Sequence, residues 1–347
     1  MKYILISVMI GFMFIGCSKK SDVKQLDAKT MYAVDSTDIK TTPASNPNET
    51  FNLNYNFEKG KHYQYRLSAV SHDEQITKLD TTITQTIDQS VIYIMDVNLA
   101  NVEKDGAKEM NCEITSVKLD ADVNGKMFRY ESGTTKDTAD IERFAEYYSL
   151  INNPFSIRIG ANGGILDIFK TDKIIDKYIE ARKIKTALTP AQKDQLKNGI
   201  TENLLKRVVG QIFREMTAKT IAKDSTWNIQ QPTAQYLVFK LDNTDLYKIA
   251  GLEMFNNDKL AVIDAGLKTV ITGDTHLKEQ GADYNFKKPE TSTSGKIYFN
   301  LTKGCIQKSK VKTNVQMSFT MEGPTPKGKQ KGSKSETITS SNIVELL

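Results

Sequence analysis

Apolar and polar residues alternate early in this chain. In FNLNYNF, Phe51, Leu53, Tyr55 and Phe57 are separated by asparagines, the two-residue period of a half-buried strand. EKGK reads as a turn and HYQYRLSAV repeats the alternation, so the two runs predict a hairpin. Further β-rich runs follow, divided at Asp105-Gly106 and Asn124-Gly125, dipeptides that favour the left-handed backbone of hairpin turns. From Thr138 the period becomes helical, with Ile141, Phe144, Tyr148 and Ile151 on one face. PFSIRIGANGGILDIF predicts a hairpin about Asn162-Gly163-Gly164, and DKIIDKYIEARKI a short helix. The clearest helix starts at Thr189, an N-cap followed by Pro190 and by Gln192 in the capping-box position. Its apolar residues recur every four positions from Leu196 to Met216, a stripe suited to packing on a sheet. After Trp227 the runs are β-rich again, with GPTPKGKQKGSKS as a loop before the last strand.

Strands, a helical middle and strands again predict an α+β fold. Its mainly antiparallel β-sheet carries the helical middle segment, and no βαβ alternation supports a parallel nucleotide-binding sheet. Residues 51–347 form a single β-rich domain with a helical insertion at about 138–220. Residues 17–50, rich in Ser, Thr, Asp, Asn, Lys and Pro, read as a flexible tether.

The N-terminus follows another rule. Lys2 precedes an apolar run from Tyr3 to Phe14, and Ile15-Gly16-Cys17 ends it. The run is too short to span a bilayer and reads as a signal peptide over residues 1–16. With cysteine directly after a small residue, the stretch resembles the lipobox of bacterial lipoproteins, although Phe14 replaces the usual Leu and Ile15 stands where Ser or Ala is commoner. The resemblance implies cleavage by signal peptidase II between Gly16 and Cys17 and acylation of Cys17, a palmitate-type anchor. Several acyl chains are needed for stable attachment, since one gives only marginal membrane binding. Ser18, rather than Asp, follows the cysteine, so the outer membrane is the expected location.

Length and composition add limits. With 347 residues, 39% hydrophobic and 26% charged, the chain can bury a sizeable core beneath a polar surface. A net charge of +5, spread along the chain, does not suggest a nucleic-acid partner. Export would permit a disulfide between Cys112 and Cys305, but the apolar runs holding them read better as two unpaired small apolar residues.

The chain also resembles an uncharacterised (domain-of-unknown-function) family of envelope lipoproteins common in Bacteroidetes. The stretches that carry the likeness are KGKHYQYRL, NPFSIRIGANGGILDI, the helix leading into AKDSTWN, and SGKIYFNLTKGCIQKSKVKTNVQMSFTM. They span about residues 51–325. The resemblance implies an envelope location and this fold class, and it supplies no activity and no catalytic residues.

Motifs with chemistry are few. His62, His72 and His276 have no metal-ligand spacing, and HExxH, CxxC and EF-hand patterns are missing. SHDEQ places His72, Asp73 and Glu74 in succession, but successive strand residues face opposite ways, so a solvated loop or strand end is expected. GANGG lacks the GK[ST] of a phosphate loop. Lys327, Lys329, Lys331 and Lys334 make a basic, Gly-rich stretch, read as a solvated loop. Asp35-Ser36-Thr37 resembles the Asp-Ser/Thr acceptor of Bacteroidetes O-glycosylation, with Ser36 as its hydroxyl. No cofactor is called for. The leading expectation is a non-enzymatic module that binds a hydrophobic ligand, a glycan or an envelope protein. The alternatives are an envelope hydrolase whose site is assembled from distant residues and a purely structural envelope protein.

The anchor is open to a direct check. Cys17→Ala should leave an uncut precursor and abolish incorporation of labelled palmitate, and unchanged processing and labelling would overturn the lipidation reading.

Overall fold

A computed structural model describes residues 28–184, 188–279, 281–325 and 328–347. The expected signal peptide, Gly16, Cys17 and the first part of the tether lie outside the described residues. Sixteen strands form one antiparallel sheet. They are β1 (Thr42–Pro43), β2 (His62–Lys78), β3 (Thr82–Val102), β4 (Lys108–Val123), β5 (Lys126–Glu131), β6 (Phe155–Ile159), β7 (Ile165–Phe169) and β8 (Thr226–Gln230). After these come β9 (Ala234–Tyr236), β10 (Phe239–Phe255), β11 (Asp258–Gly273), β12 (His276–Glu279), β13 (Ala282–Phe286), β14 (Glu290–Asn300), β15 (Cys305–Thr325) and β16 (Gly328–Leu346). The helices are α1 (Ala28–Met31), α2 (Thr138–Arg143), α3 (Ala145–Leu150), α4 (Asp172–Ala181), α5 (Pro190–Ile200) and α6 (Lys206–Ile212).

The sheet runs β1-β10-β11-β14-β15-β16-β2-β3-β4-β6-β7, with β8 and β9 beside β1 on the same edge of β10. Its central strands are long, so one strand serves two environments. Four residues separate Leu67 from Ser71 on β2, about 13 Å at strand rise. Across the sheet from Leu67, the side chains of Tyr93, Val344, Ser309, Ile297, Ile263 and Ile249 are all buried. Across from Ser71 lie Gln89, Ser340, Thr313 and Thr293, on the same face and all only half-buried. Ile174, Ile175, Leu205, Val208, Val209, Ile212 and Phe213 of the helical middle share one hydrophobic cluster with the first row.

The predicted long helix forms as α5 and α6 joined by a π-helical turn, Thr201–Leu205. Its capping box is present: the Thr189 side chain accepts from the backbone of Gln192, whose side chain accepts from the backbone of Thr189. The helical run from Thr138 is broken at buried Phe144 into α2 and α3.

Three expectations are corrected. FNLNYNF does not pair with HYQYRLSAV, although Leu53, Tyr55 and Phe57 are buried and the asparagines between them exposed. The segment threads the interior: Phe51 exchanges two backbone hydrogen bonds with Ile221, Tyr55 N–H donates to the Ala161 carbonyl and Asn56 N–H to that of Gly304. Alternation marked its burial, but β2 found its ladder partners in β3 and β16. Secondly, GPTPKGKQKGSKS is largely strand: β15 and β16 pair through it to Thr325 and Gly328.

The third concerns the tether, whose later part is docked on the outer face of the sheet. Thr42 and Pro43 pair with β10, Ala44 is buried, and Ile39 packs on Leu260, Val262 and Tyr298. A row of charges holds the arm. Arg66 meets Glu345 at 2.7 Å, Lys308 meets Glu345 at 3.2 Å and Asp35 at 2.8 Å, and Arg66 donates to the Thr30 carbonyl. The Lys308 ammonium holds the Asp35 carboxyl far below the usual carboxylate range. A depressed carboxyl stabilises above its unfolded pKa, so this contact persists at neutral pH and is lost only as pH falls into strong acid. Arg66, Glu345, Lys308, Tyr298 and Val262 lie in one register row, and ladder irregularities at Ile94/Met95, Tyr298/Phe299 and Ile249/Gly251 fall at that level. Such bulges bend and twist strands.

Lys308→Met should free the arm. Asp35 is 44% exposed, so solvent screening leaves its contact with Lys308 worth about 1 kcal/mol. Trypsin should then cut after exposed Lys40 about fivefold faster at neutral pH. An unchanged cleavage rate would show that the charge row does not hold the arm.

Candidate functional site

The sheet is strongly curled. In strand order β9 is five steps from β16. At about 4.8 Å per step, a flat sheet would set them about 24 Å apart. Yet the hydroxyl of Tyr236 on β9, pushed up to about 12 chiefly by burial, is raised further by the charges of Glu336 on β16 and Asp73 on β2. Charges act over about 8–10 Å in salt. The β9 end of this edge therefore comes near β16 and β2.

Ile174, Ile175, Leu205, Val208 and Val209 of the helices share the hydrophobic cluster of the Leu67 row, and aromatic rings gather at the other end of the strands. Phe319 on β15 meets Phe286 on β13 at 5.2 Å, and Phe286 meets fully buried Phe239 edge-on at 6.2 Å. Between these two clusters the inner face carries Ser71, Ser340, Thr313, Thr293, Asn243 and Thr269, interleaved with Leu267, Val315 and Ile338. All are half-buried, whereas outward-facing Val70, Lys312, Ser292 and Lys268 are exposed. Side chains of a packed interior are buried outright; these are not.

Two polar groups stand on this face. In the first, Gln75 Nε2 donates at 3.0 Å to both Asp73 Oδ2 and Glu336 Oε1. Burial, and then the charge of Asp73, raises the Glu336 carboxyl above its ordinary range. The second lies where the end of α6 meets β8 and β10. Trp227 stacks on Tyr247, ring centroids 5.0 Å apart and 21° from parallel. Asp245 Oδ2 accepts from Gln231 at 2.8 Å and from the Tyr247 hydroxyl at 3.3 Å. Burial raises the Asp245 carboxyl, opposed by its Tyr247, Arg214 and Gln231 neighbours. Two donors here are buried without a hydrogen-bond partner, Trp227 Nε1 and Arg214 Nε.

Arg214 is positioned by Tyr55. The Tyr55 hydroxyl donates to the Ile212 carbonyl and accepts from the Arg214 backbone N–H, both at 3.0 Å. GANGG forms the expected β6–β7 turn and presses on this joint. A Cβ on Gly163, whose φ is +90°, would stand 2.1 Å from the Tyr55 ring and 2.6 Å from the Arg214 carbonyl oxygen. The motif is structural: only glycine allows the approach.

The residues singled out from sequence lie elsewhere. Cys112 and Cys305 are free thiols in the main core, on β4 and β15, four strand steps apart, and the permitted bridge is not formed. Burial raises both thiols, that of Cys305 to about 11. Ser36 is exposed on the arm, its carbonyl accepting from Lys310. SHDEQ is neither loop nor strand end but the middle of β2, with His72 outward on Asp88 at 2.7 Å and Asp73 inward. Lys329 and Lys331 pair with Glu322 at 3.1 and 3.2 Å, and Lys327 lies outside the described residues. Two surface hollows flank the curl: about 510 Å³ beside Trp227, Leu246 and Lys248, and about 600 Å³ beside Lys278, Glu322 and Lys331. Among the described residues no helix is long and apolar enough to cross a membrane.

Asp73, Glu336, Arg214, Asp245 and Trp227 were not legible as a set. The available signal was polar residues at inward positions of alternating strands, such as Asp73, and the chain's one tryptophan. The sheet geometry, and not a local motif, is what gathers them.

A family profile covers most of this architecture. The chain belongs to DUF6263, a family of unknown function, whose profile matches residues 105–306. That match spans the helical middle and the strands from β4 to β14 but leaves β2, β3, β16 and all but the start of β15 outside it. No curated protein matches in sequence. Among solved structures, the chain is similar to one described as "lipid-protein interactions in lipovitellin", at 13% identity and TM-score 0.45. It covers 84% of this chain and 25% of that one, so the chain spans about a quarter of that protein. It is also similar to OccK5 (OpdH) of Pseudomonas aeruginosa, at 5% identity over 83% of this chain and 99% of that one, TM-score 0.20. Scores this low do not mark a shared fold.

The carboxylate pair gives a pH signature. A carboxyl raised on folding stabilises below its unfolded pKa, and that contribution is lost as pH climbs through the folded value. Glu336→Gln should therefore raise the unfolding temperature relative to the parent at pH 7 but not at pH 3.5. Equal shifts at both pH values would contradict a desolvated carboxyl at this position.

Proposed function

We propose that this chain is a non-enzymatic binding module of the cell envelope, held at the outer membrane by acylated Cys17, with the helical middle packed on its sheet. Its ligand lies along the inner face of the curled sheet, between the helices and the aromatic plug. One observation carries this reading: inner-face side chains from Ser71 to Thr293 are left half-buried, although the strands holding them are fully buried only about 13 Å away. Ligand sites are concave, and their fixed polar groups set the ligand's orientation. Ten residues lie between Cys17 and Ala28, a reach of about 36 Å when fully extended, which sets how far the body can stand from an anchored Cys17.

The hydrolase alternative would rest on Asp73 and Glu336. Paired catalytic carboxyls need the substrate oxygen or a water between them. Here the Gln75 amide fills that position, bonded to both. Binding is the better reading of the same residues.

The acylated chain in phospholipid nanodiscs, incubated with a cell-envelope extract and repurified, should carry a stoichiometric adduct in native mass spectrometry. A filled variant, Thr313→Trp with Ser340→Trp, should lose the adduct while keeping its circular dichroism spectrum. No adduct on the parent chain, or equal adducts on both, would sink the proposal.

A further inference from the structure

We propose that the ligand is a neutral oligosaccharide, with one sugar seated in the corner formed by Trp227, Tyr247, Asp245 and Arg214. The inference rests on the inner face being the binding surface and names the class of molecule it takes.

The floor of the curl decides first against an acyl chain. Ser71, Ser340, Thr313, Thr293, Asn243 and Thr269 all face inward. Some pair among themselves, as Thr293 with Thr313 at 3.1 Å and Thr269 with Asn243 at 2.8 Å. Covering hydroxyls with hydrocarbon strips their water and offers no partner, at about 1–3 kcal/mol for each left unsatisfied. The gain from burying a methylene is about 0.8 kcal/mol. With hydroxyls set between Leu267, Val315 and Ile338, this floor gives a lipid tail no continuous apolar track. A sugar polymer answers each hydroxyl with one of its own.

The corner decides next between neutral and anionic ligands. Its unpartnered buried atoms, Trp227 Nε1 and Arg214 Nε, both donate, and the Asp245 carboxyl beside them accepts. A phosphate or carboxylate only accepts and has nothing to donate to Asp245. It would also meet Asp245, Asp73 and Glu336 on the inner face, where Arg214 and Lys334 are the opposing charges. A sugar hydroxyl both donates and accepts, so adjacent hydroxyls on one ring satisfy such a mixed set. The stacked rings of Trp227 and Tyr247 add a flat apolar surface, suited to the C–H face of a pyranose.

Trp227 is the single tryptophan of the chain, so intrinsic emission reports on this corner alone. The probes are the glucose hexamers maltohexaose and cellohexaose, chitohexaose, mannohexaose, oleate and a hexa-alanine peptide, each titrated onto the full acylated chain in nanodiscs. At least one hexasaccharide should shift the emission saturably and protect it from acrylamide. Arg214→Gln and Asp245→Asn should each weaken that binding at least tenfold. Thr313→Val, which keeps the shape and removes one hydroxyl, should weaken it severalfold with an unchanged unfolding temperature. If oleate or the peptide saturates the signal and no hexasaccharide does, the saccharide assignment falls and the binding-module reading stands. Saccharide binding of equal strength in all three variants would also overturn the assignment, since the site would then lie elsewhere. If no probe moves Trp227 and the envelope extract leaves no adduct, both readings fall.

Discussion

Two hydrogen bonds at the hydroxyl of Tyr55 set the boundary between the filled and unfilled halves of this protein. The residue is fully buried and belongs to a segment with no strand neighbours, yet its hydroxyl fixes both the last carbonyl of α6 and the backbone of Arg214. Its ring lies against Phe57, Phe213 and Phe299. The helical middle therefore stops where Tyr55 holds it. Beyond that point the strands continue without a helix beneath them, and the inner face is free for something else. A buried hydroxyl with both donor and acceptor used is a strong positional constraint, because moving either partner strands a polar group in the core.

The opposite face is governed by charge. Arg66, Glu345 and Lys308 form a nearly buried row that is satisfied only when Asp35 and the Thr30 carbonyl of the arm are in place. An unpaired buried charge is costly, so arm and sheet depend on one another. This links the C-terminal strand, the first long strand and the segment nearest the expected anchor at one level, where the ladders are also irregular. The inner face and the arm thus lie on opposite sides of the sheet, so the proposed ligand face is clear of the arm.

The inner face shows how function and stability pull apart. Glu336 and Asp245 are held in surroundings that disfavour their charged forms. Trp227 and Arg214 keep polar atoms unpaired. Local conflicts of this kind gather where a protein meets a ligand. The glycines nearby play a different part: Gly163 is required by close backbone approach at a left-handed φ, and has no phosphate to cradle.

Sequence alone determined what depends on neighbours in the chain. The capping box at Thr189, the turns at Asp105-Gly106, Asn124-Gly125 and Gly160–Gly164, the burial of Leu53, Tyr55 and Phe57, and the antiparallel sheet character all follow from local periodicity and turn chemistry. Alternation reports which side of a segment is dry, but not which strand lies beside it, so the 51–57 hairpin was misplaced. The docked arm was unreadable for a related reason: a polar composition describes a solvated segment until distant charges, Arg66 and Lys308, supply its partners. Only the tertiary structure brought Asp73 to Glu336, and Arg214 to Asp245 and Trp227, because strand register and sheet curvature act between residues far apart in the chain. No short motif encodes that curvature, and the candidate site exists only through it.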